Sequence, residues 1–252
     1  MRYFLEIAYN GKNYFGWQRQ LHQFSVQQVL EETLSTVLRS EIKVMGAGRT
    51  DTGVHAKQLF AHFDFGKIKD KSKLIFRLNS FLPKDISIQN ILLVKEDAHA
   101  RFDATQREYE YIISLQKNPF LQDFAFQINN VPDIAVMNEA SELLLHHRDF
   151  QCFSRSKTDV KTYNCTIVKA KWETKNNTLI FTIVADRFLR NMVRAIVGTL
   201  LDVGNSKTSL VEFKTILNGK RREEAGASAP AQGLYLTKVV YPDEIFLAEN
   251  KE

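Results

Sequence analysis

Cysteine is scarce in this 252-residue chain: Cys152 and Cys165 are the whole supply, and no Cys-x-x-Cys pair occurs. Two thiols cannot build a disulfide framework or a four-thiolate metal site, so reduced thiols in a reducing compartment are expected. Long apolar runs are missing as well. The longest, around "AIVGTLLDV", is far short of the roughly 20 residues a membrane-spanning helix needs. The N-terminal "MRYFLEIAYNG" interrupts its apolar stretch at Glu6, unlike a secretory signal. A cytoplasmic protein with no membrane partner is expected. Charge of one sign is not in large excess either. The 34 Lys and Arg against 29 Asp and Glu leave a formal +5, which permits a polyanionic partner without requiring one.

What is present is enough apolar material, 44%, to bury a real core as one large domain or two of roughly 100 to 150 residues. "YFLEIAYN" reads as a strand. After Ser25, "VQQVLEETLSTVL" has apolar residues at 26, 29, 30, 34, 37 and 38, a helical spacing, with Ser25 and Gln28 placed for a capping box. "IKVMGAG" reads as a short strand. "QLFAHFDF" alternates, with Leu59, Ala61, Phe63 and Phe65 on one face. "KSKLIFRLNSFL" predicts a helix stopped by Pro83, and "ISIQNILLVKE" a strand, giving the order βαββαβ.

The second half repeats the pattern without repeating the letters. "EYEYIIS" reads as a strand and "DIAVMNEASELLLHH" as a helix, while "CTIVKAKWE" and "TLIFTIVAD" make a hairpin around Asn176 and Asn177. "FLRNMVRAIVGTLL" predicts a helix, "SLVEFKTILNG" another ending at Gly219, and "LYLTKVVY" the last strand. The expectation is an α+β protein of two ferredoxin-like βαββαβ halves, residues 1–97 and 98–252. Their sheets would join into one antiparallel sheet with helices on one face.

Positive charge is clustered. Arg187, Arg190 and Arg194 fall along one flank of the helical stripe, and three further groups are Lys67, Lys69, Lys71, Lys73 and Arg77; Arg155, Lys157 and Lys161; and Lys220, Arg221 and Arg222. Four clusters in a chain of small net charge are the distribution nucleic-acid binding requires.

The loop "GAGRTDTGVHA", 46–56, places Arg49 and Asp51 two residues apart among three glycines. Glycine supplies bent backbone and close approach, and Thr50 and Thr52 are expected to lock the bend through side-chain to backbone hydrogen bonds. His55 stands four residues beyond Asp51, but no third ligand recurs at metal-binding spacing, so a structural histidine and no metal are expected.

This loop resembles the active-site loop of the TruA-type tRNA pseudouridine synthases. "YNGKNYFGWQRQ" with "SVQQVLEETL", "ARFDATQREYEY", "FLRNMVRAIVG" and "APAQGLYLTKVVY" resemble that family's other blocks, in order, from about residue 3 to 242. The resemblance implies the pseudouridine synthase fold and the conversion of uridine to pseudouridine at positions 38 to 40 of the tRNA anticodon stem-loop. The uracil leaves C1′ of ribose, turns, and is rejoined through C5. It also implies a homodimer and no cofactor, because nothing is oxidised or hydrolysed overall.

By that resemblance Asp51 is the catalytic nucleophile, and attack at C6 of uracil or at C1′ both stay open. An ionised carboxylate suits the task of holding the sugar or the base. Arg194 is the implied salt-bridge partner of Asp51, and Tyr109 the tyrosine that stacks on uracil. Tyr109 and Tyr111 share a strand face, and one of them is expected to touch substrate. Arg49 is implied as the group that fills the gap left by a flipped uridine or clamps its phosphate. Two other readings remain: a non-catalytic RNA-binding protein of two RRM-like units, whose Lys/Arg-Gly-Phe/Tyr-Gly/Ala-Phe-Val stretch does not occur in this sequence, and an RNA N-glycosidase, whose second, water-activating carboxylate does not recur near Asp51.

Overall fold

The computed structural model describes residues 1–155 and 161–247. Along the chain run β1 (Arg2–Tyr9), α1 (Val26–Leu38), β2 (Met45–Gly46), β3 (His55–Asp64), α2 (Lys71–Phe81), β4 (Ile86–Val94) and β5 (Gln106–Ser114). Then follow β6 (Phe126–Gln127), α3 (Ile134–Leu145), β7 (Ile167–Lys175), β8 (Thr178–Ala185), α4 (Met192–Gly204), α5 (Leu210–Gly219) and β9 (Leu234–Val240). The chain is an α+β protein with largely antiparallel pairing, and two compact units form. One is Met1–Thr105 with the chain from Leu236 onward, the other Gln106–Tyr235.

In the first unit the strand order is β4-β1-β3-β9, with β2 paired to β3. β1 lies antiparallel to both β3 and β4, in the register Leu5↔Ala61 and Leu5↔Ile91. Tyr3, Leu5, Ile7 and Tyr9 alternate along β1 and are all buried. The opposite face carries Phe4, whose ring meets Tyr241 edge-on at 5.1 Å, and Phe60, which meets Tyr241 at 5.4 Å. Farther along that face the apolar cover gives way to polar groups, where Gln58 donates to Glu6 at 2.7 Å. α1 forms as its periodicity predicts, and Ser25 caps it by accepting from the Gln28 N–H at 3.3 Å. Such a cap is worth about 1 kcal/mol. The reciprocal half of the expected capping box does not hold the Gln28 amide, which donates to Glu32 at 2.9 Å.

In the second unit the order is β5-β8-β7, with β6 parallel to β5. Asn176 and Asn177 both take left-handed backbone, φ 45° and 58°, as a two-residue hairpin turn demands. Trp172 and Phe181 are register partners and stack at 4.7 Å in the core. α3 and α4 approach closely because Gly204 has no side chain: a Cβ there would stand 2.5 Å from Met137 Sδ.

β4 and β7 are each the end strand of their unit, and each is treated the same way. Asn79 of α2 donates to the Ile88 carbonyl at 2.9 Å and accepts from its N–H at 2.8 Å. Asn138 of α3 does so for Trp172, at 3.2 and 2.8 Å. A helix side chain thus occupies main-chain groups that an end strand would leave unpaired.

One expected helix starts later than its pattern suggests. Asn191, at φ 66°, sits in left-handed backbone, so α4 begins only at Met192. Arg187 and Arg190 therefore precede the helix and do not share a helical flank with Arg194. Likewise Phe65 lies past the end of β3. Lys157 falls outside the described residues.

Candidate active site

The loop between β2 and β3 is shaped by the segment 14–17. Trp17 donates its N–H to the Thr50 carbonyl at 3.2 Å, and Gly53 donates to the Tyr14 carbonyl at 3.3 Å. Gly16 permits this approach: it sits at φ 81°, and a Cβ on it would stand 2.3 Å from the Thr50 oxygen. Gly46 does the same for the Trp17 ring, which would lie 2.5 Å from an added Cβ. A turn then closes from the Val54 N–H to the Asp51 carbonyl at 3.1 Å, with Gly53 at φ 79° as its third residue.

Thr50 is buried, and its hydroxyl meets that of Tyr9 at 2.8 Å. The expected side-chain to backbone lock by the two threonines is replaced by this side-chain pair, while Thr52 is exposed. Thr50 pins the middle of the loop, so Arg49 and Asp51 are displayed on either side of it. Arg49 is exposed and Asp51 half-buried. Arg49 donates through Nε to Gln18 Oε1 at 3.2 Å. His55 is buried, and its Nδ1 accepts from the Gly11 N–H at 3.1 Å, a structural role.

The second unit carries Tyr109 and Arg194. Tyr109 is half-buried on β5, opposite Ile183 of β8, and the ring of Phe188 meets it edge-on at 5.1 Å. Tyr111, on the same face by alternation, is fully buried and donates its hydroxyl to the Pro230 carbonyl at 2.8 Å. Burial pushes the Tyr111 phenol upward, and the nearby Arg194 guanidinium partly offsets this. Of the two tyrosines, Tyr109 is the less buried.

Arg194 lies in the first turn of α4, half-buried. Its Nε donates to the Ala229 carbonyl at 2.7 Å, and the Ala229 N–H returns a bond to the Arg194 carbonyl at 2.9 Å. The 225–229 segment that holds it is itself pinned. Gly198 admits it, since a Cβ there would stand 1.8 Å from the Ala227 oxygen. Asn191 and Arg222 donate to the Ser228 hydroxyl at 2.6 and 2.9 Å, and Gly226 donates to Thr199 Oγ1 at 2.9 Å. Arg194 is thus a rigidly oriented cation, not a solvated helix side chain.

The basic clusters divide by fate. Lys220 pairs with Asp149 at 2.7 Å, Arg221 with Glu223 and Glu224 at 2.9 and 3.3 Å, and Arg222 donates to the carbonyls of Ala225 and Gly226. That group serves the fold. Lys67, Lys69, Lys73 and Arg77 are exposed on and before α2, and Arg155, Lys161 and Arg190 are exposed in the second unit.

The sequence-predicted residues thus divide two and two between the units: Arg49 and Asp51 flank Thr50 in the first, while Tyr109 on β5 and Arg194 on α4 belong to the second. Chemically, the first unit offers a carboxylate with a cation two residues away, fit for nucleophilic attack beside a polyanion. The second offers an aromatic ring with a hydroxyl and a fixed guanidinium. The residues behind Arg49, namely Gln18, Gln27 and Glu31, carried no signal in the sequence beyond their place in two recognisable blocks. Among the described residues no group of three or more His, Cys, Asp or Glu could hold a metal ion, and no helix is long and apolar enough to cross a membrane.

A family model described as tRNA pseudouridine synthase matches residues 7–103 and 140–242. A protein of Bacteroides fragilis called tRNA pseudouridine synthase A is 50% identical over 247 residues, covering 97% of this chain and 98% of that one. Proteins of the same name from Porphyromonas gingivalis and Bacteroides thetaiotaomicron are 49% and 48% identical, covering 98% and 100% of this chain and 99% and 94% of theirs.

Proposed function

We propose, from the premise that the chain belongs to the tRNA pseudouridine synthase family and isomerises uridine in tRNA, that its targets are positions 38, 39 and 40 of the anticodon stem-loop. The resemblance of the chain's five blocks to that family supports the target positions, and the observation that supports the catalytic site is the loop itself: a buried threonine flanked by an exposed arginine and a half-buried aspartate, clamped by Gly16 and Trp17.

In this reading Asp51 is the nucleophile, at C6 or at C1′. The C1′–N1 bond breaks and a C1′–C5 bond forms, C5 gives up its proton and N1 ends with one, so the RNA keeps its mass. Arg194 pairs with the Asp51 carboxylate and keeps it charged once RNA has displaced water. Tyr109 stacks on the flipped uracil. Arg49 occupies the place the base has left or holds its phosphate. The architecture is two ferredoxin-like halves, 1–97 and 98–252, joined through their sheets, acting as a cytoplasmic homodimer.

The test is incubation with unmodified tRNA transcripts, followed by mapping of pseudouridine at single-nucleotide resolution. Product confined to positions 38 to 40, with RNA mass unchanged, is expected. Product in the D-arm or T-arm would overturn the site of action, and loss of uracil mass would overturn isomerisation.

A further inference from the structure

Behind Arg49 runs a chain of side-chain amides that ends on a buried charge. Glu31, on α1, is 4% exposed. Its Oε1 accepts from Gln27 Nε2 at 3.1 Å and from the Val44 N–H at 3.2 Å, and its Oε2 accepts from the Arg19 guanidinium at 3.0 Å. Gln27, 8% exposed, uses every valence of its amide. Nε2 donates to Glu31 and to the Val44 carbonyl at 3.0 Å, while Oε1 accepts from Gln18 Nε2 at 2.9 Å and from the Arg19 N–H at 3.0 Å. Gln18 Oε1 then accepts from Arg49 Nε at 3.2 Å.

An amide can in general be turned either way round, because its oxygen and nitrogen are nearly the same size. Here it cannot. A carboxylate and a carbonyl only accept, and a main-chain N–H only donates. Glu31 and the Val44 carbonyl therefore force the NH2 of Gln27 inward, and the Arg19 N–H confirms its oxygen on the other side. That oxygen forces the NH2 of Gln18 to face it, which leaves the Gln18 oxygen as the only amide atom that can face Arg49. The direction set by Glu31, the Val44 carbonyl and the Arg19 N–H is passed through two amides to the guanidinium. Holding Nε fixes the plane of Arg49 and leaves its terminal nitrogens, the fork that matches phosphate, on an exposed side chain.

We infer that Gln18, oriented by Gln27 and Glu31, is the positioning residue for Arg49, and that this one-way amide relay presents the guanidinium to the RNA. The inference rests on the reading of Arg49 as a residue that handles the flipped strand. A misdirected cation costs far more in the transition state than in binding, because the many phosphate contacts elsewhere still hold the RNA.

The experiment uses the full chain with unmodified tRNA transcript under single-turnover conditions, comparing Arg49→Ala, Gln18→Ala, their double variant and Glu31→Gln, with thermal melting and tRNA affinity measured for each. Gln18→Ala is expected to slow the isomerisation step by about 10-fold with tRNA affinity kept within about 2-fold, and Glu31→Gln by less, because the Val44 carbonyl and the Arg19 N–H still orient Gln27. The double variant is expected to be no slower than Arg49→Ala alone, since the two residues act as one. Gln18 is only half-buried, so its variant remains informative even if Glu31→Gln does not fold. If Arg49→Ala is slow while Gln18→Ala is normal, or if the two losses multiply, the relay is overturned and the role of Arg49 stands. If Arg49→Ala turns over normally, the role of Arg49 falls and the relay falls with it.

Discussion

The hydroxyls of Tyr9 and Thr50 meet at 2.8 Å in a buried contact beneath the loop that displays Arg49 and Asp51. This bond joins the last residue of β1 to the centre of the loop, 41 residues on, so the position of both charged side chains depends on a strand end. Tyr9→Phe keeps the ring and leaves the Thr50 hydroxyl short of a buried partner, which costs about 1 to 3 kcal/mol. For a chain of this size a melting temperature lower by roughly 2 to 10 °C is expected. Turnover should fall more than tRNA affinity, because the loop loosens while the phosphate contacts stay. Calorimetry and single-turnover kinetics on the same variant check both parts; an unchanged melt would show that the contact does not anchor the loop.

Acid should weaken the first unit through His62. Burial, with Arg2 and His99 adding repulsion, lowers its pKa from 6.5 to about 4, against the smaller opposing pull of Asp64 and Asp103. Its Nδ1 accepts from the Ala100 N–H at 3.1 Å, which a protonated nitrogen cannot do. The unfolded chain takes up this proton near pH 6.5 and the folded one only near 4. The contribution of His62 is therefore complete above about 6.5 and is lost as pH falls toward 4. His62→Gln keeps an acceptor for Ala100 without titrating, so its melting temperature should drop less steeply between pH 7 and 4. Parallel slopes for the two proteins would remove His62 as a source of acid sensitivity.

Much of this was legible in the sequence, for reasons that can be assigned. α1 is an uninterrupted 3.6-residue pattern behind a serine cap, and the Asn176–Asn177 pair is one of the few dipeptides that turn a tight hairpin without strain. What escaped depends on contacts far along the chain. Tyr109 and Tyr111 look equivalent by alternation, and what sets Tyr111 apart is full burial against the Pro230 carbonyl, 119 residues away. Glu31 looks like a solvent-facing residue of an amphipathic helix. Its burial follows from Val44 and Arg19 closing over it, and neither is a helix neighbour. The late start of α4 turns on the left-handed Asn191, which periodicity does not register. The Lys220–Arg222 run reads as a polyanion site but answers to local carboxylates and carbonyls. Short β6 has too few residues to show any period.

Tyr109→Phe separates the ring from its hydroxyl. The edge-on packing against Phe188 at 5.1 Å involves the ring alone and should survive. If the hydroxyl assists proton transfer, turnover should drop by about 10²- to 10⁴-fold with tRNA affinity nearly unchanged. Turnover within a factor of about two of wild type would leave Tyr109 with stacking only.

Asp51→Asn tests the centre of the proposal. The amide has the size and shape of the carboxylate, so the turn closed by the Val54 N–H on the Asp51 carbonyl is a main-chain contact that the change does not touch. An amide is a far poorer nucleophile than a carboxylate. Pseudouridine formation on unmodified transcript should become undetectable. Binding should persist, because the exposed cations Lys67, Lys69, Lys73 and Arg77 remain, and it should weaken with added salt as steeply as in the wild type. Affinity at low salt is expected to rise slightly, since a carboxylate facing a polyanion repels it. Loss of product with binding retained is a result that a bare RNA-binding module, having no product to lose, cannot give. Near-normal turnover in Asp51→Asn would remove Asp51 as the nucleophile, and the loop between β2 and β3 would lose its claim to the chemistry.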